Sequence, residues 1–411
     1  MKSLSVRLGA TGKGERRIPK KKAAKMDDTF LFADSLGPTK IVHLYDPAID
    51  LKAVVAIDNV AIGPAMGGIR LAPDVSAREA FRLARSMTLK NAAAGLPHGG
   101  GKSVIFGDPR MPLPQKERLI RAFAQAIADM ADYIPGPDMG IDERCMAWIR
   151  DEIGRAVGLP RSVGGIPLDE IGATAWGLFH AIAEAMPRLG LSIEGARVAI
   201  QGFGAVGGHA ARFLGEAGAV LVAAADIEGA IVNPHGLDIA ALLRLRDSGR
   251  PLSDCQDAER LERDAIIDVD CDIWVPAARP DVVDGQNVHR LRTRLVAQGA
   301  NIPFTEEAER ILHERGVLVL PDFIANAGGV ICASVEYHGG TEHQALEMIE
   351  ERLRDNTRHV LDRAAEKGCP PREAALEMAQ ARIQEAMAFG RFAGNMTSPR
   401  PDHHPGIATP K

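Results

Sequence analysis

Few cysteines, little excess charge and no long apolar run mark this sequence, and each scarcity excludes something. Five cysteines are scattered over 411 residues, with no CxxC pair among them. That excludes a secreted disulfide framework, argues against structural zinc, and fits a reduced, cytoplasmic compartment. No stretch approaches the roughly 20 apolar residues that span a bilayer, so a membrane-embedded helix is not expected. Internal repeats are missing as well. What is present, 46% hydrophobic and 25% charged residues, is the composition of an ordinary globular protein rather than of a disordered, collagenous or coiled-coil chain. The length suggests two or three domains.

The net charge of −5 is unevenly spread. Residues 1–25 hold nine Lys/Arg against Glu15, so the remaining body is strongly acidic, which argues against nucleic acid as its main partner. The basic head lacks an apolar core, so it is no secretory signal. It reads as a disordered extension, unless Met26 is the true start. Residues 396–411, rich in proline, read as a loose tail.

Between these ends, Lys52–Ile57 and Ser103–Phe106 read as strands. Ser76–Leu89 reads as a helix, with a capping box from Ser76 and Glu79, and Arg118–Ala131 as an amphipathic helix. The glycine- and proline-rich stretch Gly158–Pro167 marks a domain boundary. Beyond it, a helix over Ala173–Pro187 precedes a β-α-β rhythm. Strands fall at Arg197–Ile200 and Val220–Ala224, with a helix at Ala205–Ala217 between them. Further strands at Ile273–Val275, Leu295–Ala297 and Val317–Leu320 imply a parallel sheet covered on both faces. Leu346–Phe392 reads as two helices broken at Gly368–Pro371.

Two segments carry chemistry. Gly202-Phe-Gly204-Ala205-Val206-Gly207 stands between strand and helix, the setting in which a GxGxxG binds a dinucleotide. Gly202 permits the tight turn, Gly204 the approach of a pyrophosphate, and Gly207 the close packing of the helix. Asp226, 19 residues after Gly207, and Glu228 are candidates for the ribose hydroxyls. No Arg or Lys lies between Arg212 and Arg244 to neutralise a 2′-phosphate, so NAD is expected rather than NADP. The second segment, Lys90 to Lys102, places two lysines around an almost uncharged loop ending in Gly99-Gly100-Gly101. A lysine beside such a glycine turn can be desolvated and its pKa lowered. His98, between them, reads as a loop histidine without a catalytic duty. The acidic cluster Asp142, Glu143, Asp151 and Glu152 reads as a solvated helix face, and no metal site is expected.

From about Val54 to Gly390 the sequence resembles the Glu/Leu/Phe/Val dehydrogenase family of amino acid dehydrogenases. The resemblance rests on Gly67-Gly-Ile-Arg70, the Lys90–Lys102 segment, Gly136-Pro-Asp138-Met-Gly140, the GxGxxG, Gly299-Ala-Asn301 and Asn326-Ala-Gly-Gly329. It implies reversible oxidative deamination of an L-amino acid to a 2-oxo acid and ammonia, with NAD as cofactor. The implied fold is α/β: a substrate and oligomerisation domain over residues 26–163, a doubly wound Rossmann-type domain over 164–345, and helices over 346–395 that pack back on the first domain. A homo-oligomer of six or eight subunits is implied too. By the same resemblance, Lys90 binds the substrate α-carboxylate, Lys102 is the catalytic lysine of low pKa, and Asp138 exchanges a proton with the amino group. Thr174, Asn301 and Asn326 match cofactor-side positions. Ala205 departs from an asparagine found in many members, which removes a hydrogen bond worth ~1 kcal/mol.

The pocket positions implied by the resemblance are Met66, Gly67, Gly136, Val330 and Ala333. Glutamate-specific members carry a lysine and a serine where this sequence has Met66 and Ala333. A glutamate carboxylate buried there without a partner would cost several kcal/mol, so an apolar amino acid (leucine, valine, isoleucine or phenylalanine) is expected. Glutamate is the alternative, since Gly299-Ala-Asn-Ile-Pro303 and Ile311–Pro321 read more like the glutamate branch.

Overall fold

The computed structural model describes Phe30 and residues 32–389; the readings of the basic head and the proline-rich tail lie outside them. The first half builds a five-stranded sheet from β1 (Lys40–Asp46), β2 (Leu51–Asn59), β3 (Ala65–Ala72), β4 (Gly99–Phe106) and β5 (Tyr133–Pro137), in the order β1-β2-β4-β3-β5. The pairs β1/β2 and β2/β4 are antiparallel, whereas β4/β3 and β3/β5 are parallel. Helix α1 (Ala77–Ala93) covers one face, and α2 (Leu113–Ala126) and α3 (Glu143–Ile153) cover the other. Strand β2 shows why its sequence is apolar without a break from Ala53 to Ile57. Leu51, Ala53, Val55 and Ile57 face Leu119, Ile120 and Phe123, while Val54 and Ala56 face Ala80 and Ala84. A strand buried on both faces loses its polar alternation.

The expected helix Ser76–Leu89 runs on to Ala93, so Lys90 sits in its last turn rather than in a loop. The expected triple-glycine turn is the start of β4. Its glycines let α1 lie directly on the strand: a Cβ on Gly100 would sit 2.1 Å from the Thr88 amide nitrogen. The capping box is half made. Ser76 accepts from the Glu79 amide, but the Glu79 carboxylate turns to Arg70 instead. The helix expected at Arg118–Ala131 starts and stops earlier, led in by Pro112 and Pro114.

After α4 (Ala173–Ala185) the chain runs through β6 (Arg197–Gln201), α5 (Ala205–Glu216), β7 (Val220–Ala225), β8 (Ala230–Val232), α6 (Ile239–Asp247), β9 (Glu259–Leu261), β10 (Ile273–Pro276), β11 (Leu295–Ala297), α7 (Glu306–Glu314) and β12 (Leu318–Leu320). These seven strands form one sheet in the order β12-β11-β10-β6-β7-β8-β9. The five strands from β12 to β7 are parallel. β8 and β9 join antiparallel, so the sheet is not parallel throughout. One face packs on α4, α5 and the C-terminal helices through Val198, Ile200 and Leu221, and the other on α7 through Trp274 and Val296. The chain closes with α8 (Asp322–Ala325), α9 (Gly328–Tyr337), α10 (Glu342–Lys367) and α11 (Pro371–Phe389). Ala375, Met378 and Ile383 of α11 pack with Ala92 and Ala93 of α1, so the last described helix returns to the first half.

Candidate active site

Strands β4, β3 and β5 lie side by side and bring one reacting group each to the same edge. Lys102 stands on β4, Arg70 on β3, and Asp138 directly follows β5. Between them runs Gly68, whose missing side chain leaves the space that the Lys102 amine occupies: a Cβ there would lie 3.2 Å from Nζ. The Lys102 amine reaches Asp138 Oδ2 at 2.6 Å, and Arg70 Nε donates to the same oxygen at 3.1 Å. Burial pushes the Asp138 carboxyl up, but the charges of Lys102 and Arg70 outweigh it and hold the group below its usual range. Arg70 was not singled out among the expected site residues. Its role as bridge between Asp138 and Glu79 follows from a register that the sequence does not display.

Lys90 approaches from the last turn of α1. It is 6% exposed, and its amine donates to Asn301 Oδ1 of the Rossmann half at 2.8 Å. Burial lowers its pKa to about 8; Asp322 opposes the fall and Lys102 adds to it. Asn326 joins the same junction, with Nδ2 donating to the Gly299 and Ala300 carbonyls and to Asn301 Oδ1. Its own Oδ1 is buried and unpartnered among the described residues. A buried acceptor without a donor is costly unless a ligand supplies one.

The side-chain pocket positions also converge. Met66 on β3 and Ala333 on α9 touch within one apolar cluster, completed by Ile134 and Val157. The last two escaped the sequence reading. Ile134 pairs with Met66 across β3/β5, but Pro135 and Pro137 disguise β5 as a loop, an edge position where proline is tolerated. Val157 lies between the halves, its Cγ2 3.0 Å from where a Gly136 Cβ would be. Gly67 is held by Tyr133, whose hydroxyl donates to its carbonyl at 2.9 Å. Val330, a turn before Ala333, is half-buried against the core of the Rossmann sheet. The segment joining the halves is tied to α9 as well: Glu336 accepts from the amides of Leu159 and Ile166, and burial raises its pKa. His98 does lie in the loop before β4, but it is buried there. It is 1% exposed, faces Tyr337 and His338, and neither ring nitrogen has a partner among the described residues.

At the fingerprint, Gly202 has φ +95°, which an L side chain rarely adopts, and Gly204 opens on space: a Cβ there would meet nothing within 4 Å. Ala205 and Val206 begin α5, which has no side-chain cap, so its first amides are free for an anion. Gly207 is buried against the Gly202 carbonyl. Thr174, at the start of α4, directs its hydroxyl towards Gly329. These features, with the orphaned Asn326 acceptor, fit a dinucleotide. Two details differ from expectation. Asp226 is engaged in its own loop, accepting from the amides of Glu228, Gly229 and Leu252, while Glu228 is exposed. The fold also supplies a cation that sequence distance concealed: Arg246 of α6 lies over the fingerprint, its Nη1 3.5 Å from the Gly204 carbonyl. Of the acidic cluster, Asp142 caps α3 and Asp151 and Glu152 pair with Arg121. No described helix is long and apolar enough to cross a membrane.

Comparison with known proteins agrees with this layout. Residues 43–155 match the Glu/Leu/Phe/Val dehydrogenase dimerisation domain, and residues 164–390 match Glutamate/Leucine/Phenylalanine/Valine dehydrogenase. The NAD-specific glutamate dehydrogenase of Staphylococcus aureus is 38% identical over 319 residues, 74% of this chain and 77% of the relative. Among solved structures, the hetero-hexameric glutamate dehydrogenase from Thermus thermophilus (Leu bound form) aligns with a TM-score of 0.79 at 29% identity, covering 86% of this chain and 91% of that one. L-tryptophan dehydrogenase from Nostoc punctiforme aligns with a TM-score of 0.66 at 26% identity, over 86% of this chain and 97% of that one. With both halves matched and the motifs assembled in one cleft, the chain belongs to the Glu/Leu/Phe/Val dehydrogenase family of amino acid dehydrogenases.

Proposed function

We propose that the protein catalyses the NAD-dependent, reversible oxidative deamination of an L-amino acid to its 2-oxo acid and ammonia. The observation that carries this reading is the pair formed by buried Lys102 and half-buried Asp138 at 2.6 Å, with the Lys90 amine presented to the same cleft. Deamination needs a fixed cation for the α-carboxylate, a general acid/base, and a second proton carrier. Lys90 suits the first task, Lys102 the second and Asp138 the third. In this scheme Lys102, as the free amine, takes a proton from the water that attacks the iminium carbon and then hydrogen-bonds the new oxygen, while Asp138 gives a proton to the departing amine and takes the hydroxyl proton in return as the carbonyl forms. Thr174, Asn301 and Asn326 would orient the nicotinamide half, with Gly202, Gly204, the start of α5 and Arg246 around the pyrophosphate. When bound, the nicotinamide supplies the hydride acceptor. NAD is favoured over NADP by the carboxylates of Asp226 and Glu228 and by the NAD-specific relative.

Glutamate is the substrate best supported by the relatives. A second reading, an apolar amino acid, is favoured by one observation: Met66, Ile134, Val157 and Ala333 form an apolar cluster with no cation among them. NADH formation against a panel of L-amino acids at alkaline pH separates the two. Glutamate fastest keeps the first reading, leucine, valine or phenylalanine fastest keeps the second, and no turnover of any amino acid removes both. The assembly is read as a homo-oligomer of six or eight subunits built through residues 26–163, with 164–345 as the cofactor domain, in the cytoplasm.

A further inference from the structure

Lys90 meets the Rossmann half through a single side-chain acceptor, the Asn301 carboxamide. The residue after it, Ile302, has φ +50°, a genuine outlier for a β-branched side chain. Such a conformation persists only when its surroundings enforce it. Here the enforcing group is Asp322, whose Oδ2 accepts the Ile302 amide at 2.8 Å. Asp322 is 1% exposed, and a carboxylate so deeply buried needs a cation. That cation comes from outside the cleft. Arg372, near the start of α11, donates from Nη2 to Asp322 Oδ1 at 2.9 Å and holds Glu309 with Nε and the same Nη2. It also donates to Gln298, whose Oε1 accepts the Asp322 amide.

We propose that Arg372 is a positioning residue: through Asp322 and the strained Ile302 it fixes the Asn301 carboxamide against the Lys90 amine, and thereby sets the grip on the substrate carboxylate. The proposal rests on the reading of Lys90 given above. Two features separate the relay from a mere staple for α11. The chain of contacts ends on the lysine itself rather than on packed side chains. Electrostatics also makes the coupling signed. Asp322 favours protonated Lys90, and Arg372 partly cancels Asp322. Removing Arg372 therefore stabilises the ammonium, whereas removing the Asp322 charge destabilises it.

The test uses the full-length enzyme and the inhibition constant of 2-oxoglutarate or 4-methyl-2-oxopentanoate without ammonia, followed from pH 6 to pH 10. These ligands carry no amine, so their alkaline weakening reports the lysines of the site, and its loss in Lys90→Ala assigns the limb to Lys90 rather than to Lys102. Arg372→Gln should weaken binding about tenfold near neutral pH and move the alkaline limb up by about half a pH unit or more. Arg372→Lys should restore part of the affinity. Asp322→Asn keeps an acceptor for Ile302 but should move the limb the other way, and it serves if Arg372→Gln fails to fold. A limb that stays put in every folded variant, or moves in the same direction for both, overturns the relay. Lys90→Ala distinguishes the deeper failure. If Lys90→Ala binds the oxo acid as wild type does, the carboxylate role of Lys90 falls, and the relay with it. If Lys90→Ala weakens binding while the limbs stay put, only the relay falls.

Discussion

Two buried lysines, twelve residues apart in sequence, face one cleft with opposite electrostatic company. Lys102 shares its proton with a carboxylate of its own sheet. Lys90 hydrogen-bonds, among the described residues, the neutral oxygen of Asn301, contributed by the other half of the molecule. A carboxylate that hydrogen-bonds the amine fixes its position and puts a second proton carrier beside it, which suits acid–base work. An ammonium beside a neutral amide keeps its charge unspent and available to an incoming anion, which suits binding. The amide partner also makes the binding site dependent on how the two halves meet.

The largest effect expected is at Lys102. Lys102→Ala should lower kcat by about 10²-fold or more, and Asp138→Asn should do likewise, since it leaves the amine with an uncharged neighbour as at Lys90. Rates within a few-fold of wild type would dissolve the distinction between the two lysines. The converse exchange is Asn301→Asp, which gives Lys90 a carboxylate of its own. It should raise KM for the amino acid by about tenfold, because the new charge competes with the substrate carboxylate, and an unchanged KM would show that the neutral partner is irrelevant. A third lysine can be installed: Met66→Lys with Ala333→Ser should raise kcat/KM for L-glutamate relative to L-leucine by roughly tenfold, since the substrate's own γ-carboxylate becomes the partner. A ratio that does not move would place side-chain selection elsewhere.

The smallest effect concerns a base whose ring nitrogens have no hydrogen-bond partner among the described residues. Burial, with nearby His338, lowers His98 from its ordinary 6.5 to about 4. The folded protein therefore refuses a proton that the unfolded chain accepts, and stability is lost as pH falls from about 6.5 towards 4. His98 should account for on the order of 2 kcal/mol of that loss. Melting temperatures between pH 4 and pH 7 should fall less steeply in His98→Phe, although His180, lowered in the same way to about 4, leaves a residual slope. An unaltered slope would show that His98 is hydrated rather than sealed.

The Rossmann half was legible because its signals are local. A strand, a glycine fingerprint and a helix follow one another within twenty residues, and the boundaries of β6, α5 and β7 fall within one residue of the periodicity. The first half hid its architecture in glycine and proline. Gly99–Gly101 read as a turn, yet they form a central strand because α1 presses on them, and β5 was masked by its prolines. The lysines and Asp138 were recognisable as motifs, but their geometry was not, because Gly68 makes the Lys102–Asp138 contact possible only across neighbouring strands. Arg70, Val157, Arg246 and Arg372 lie far in sequence from what they touch. No spacing rule reaches them.

The helix α9 has a consequence for how substrate preference can evolve. Ala333, in the pocket wall, and Glu336, the clamp on the connecting segment, sit three residues apart on one rigid rod. Val157, also in the wall, lies two residues before the clamped Leu159. A mutation that reshapes the wall by tilting the rod also pulls on the joint between the halves, so selectivity and the placement of the halves are inherited together. Lineages that change their amino acid should therefore carry paired changes, one on α9 and one near Val157, and laboratory selections that randomise both segments at once should outrun those that randomise either alone.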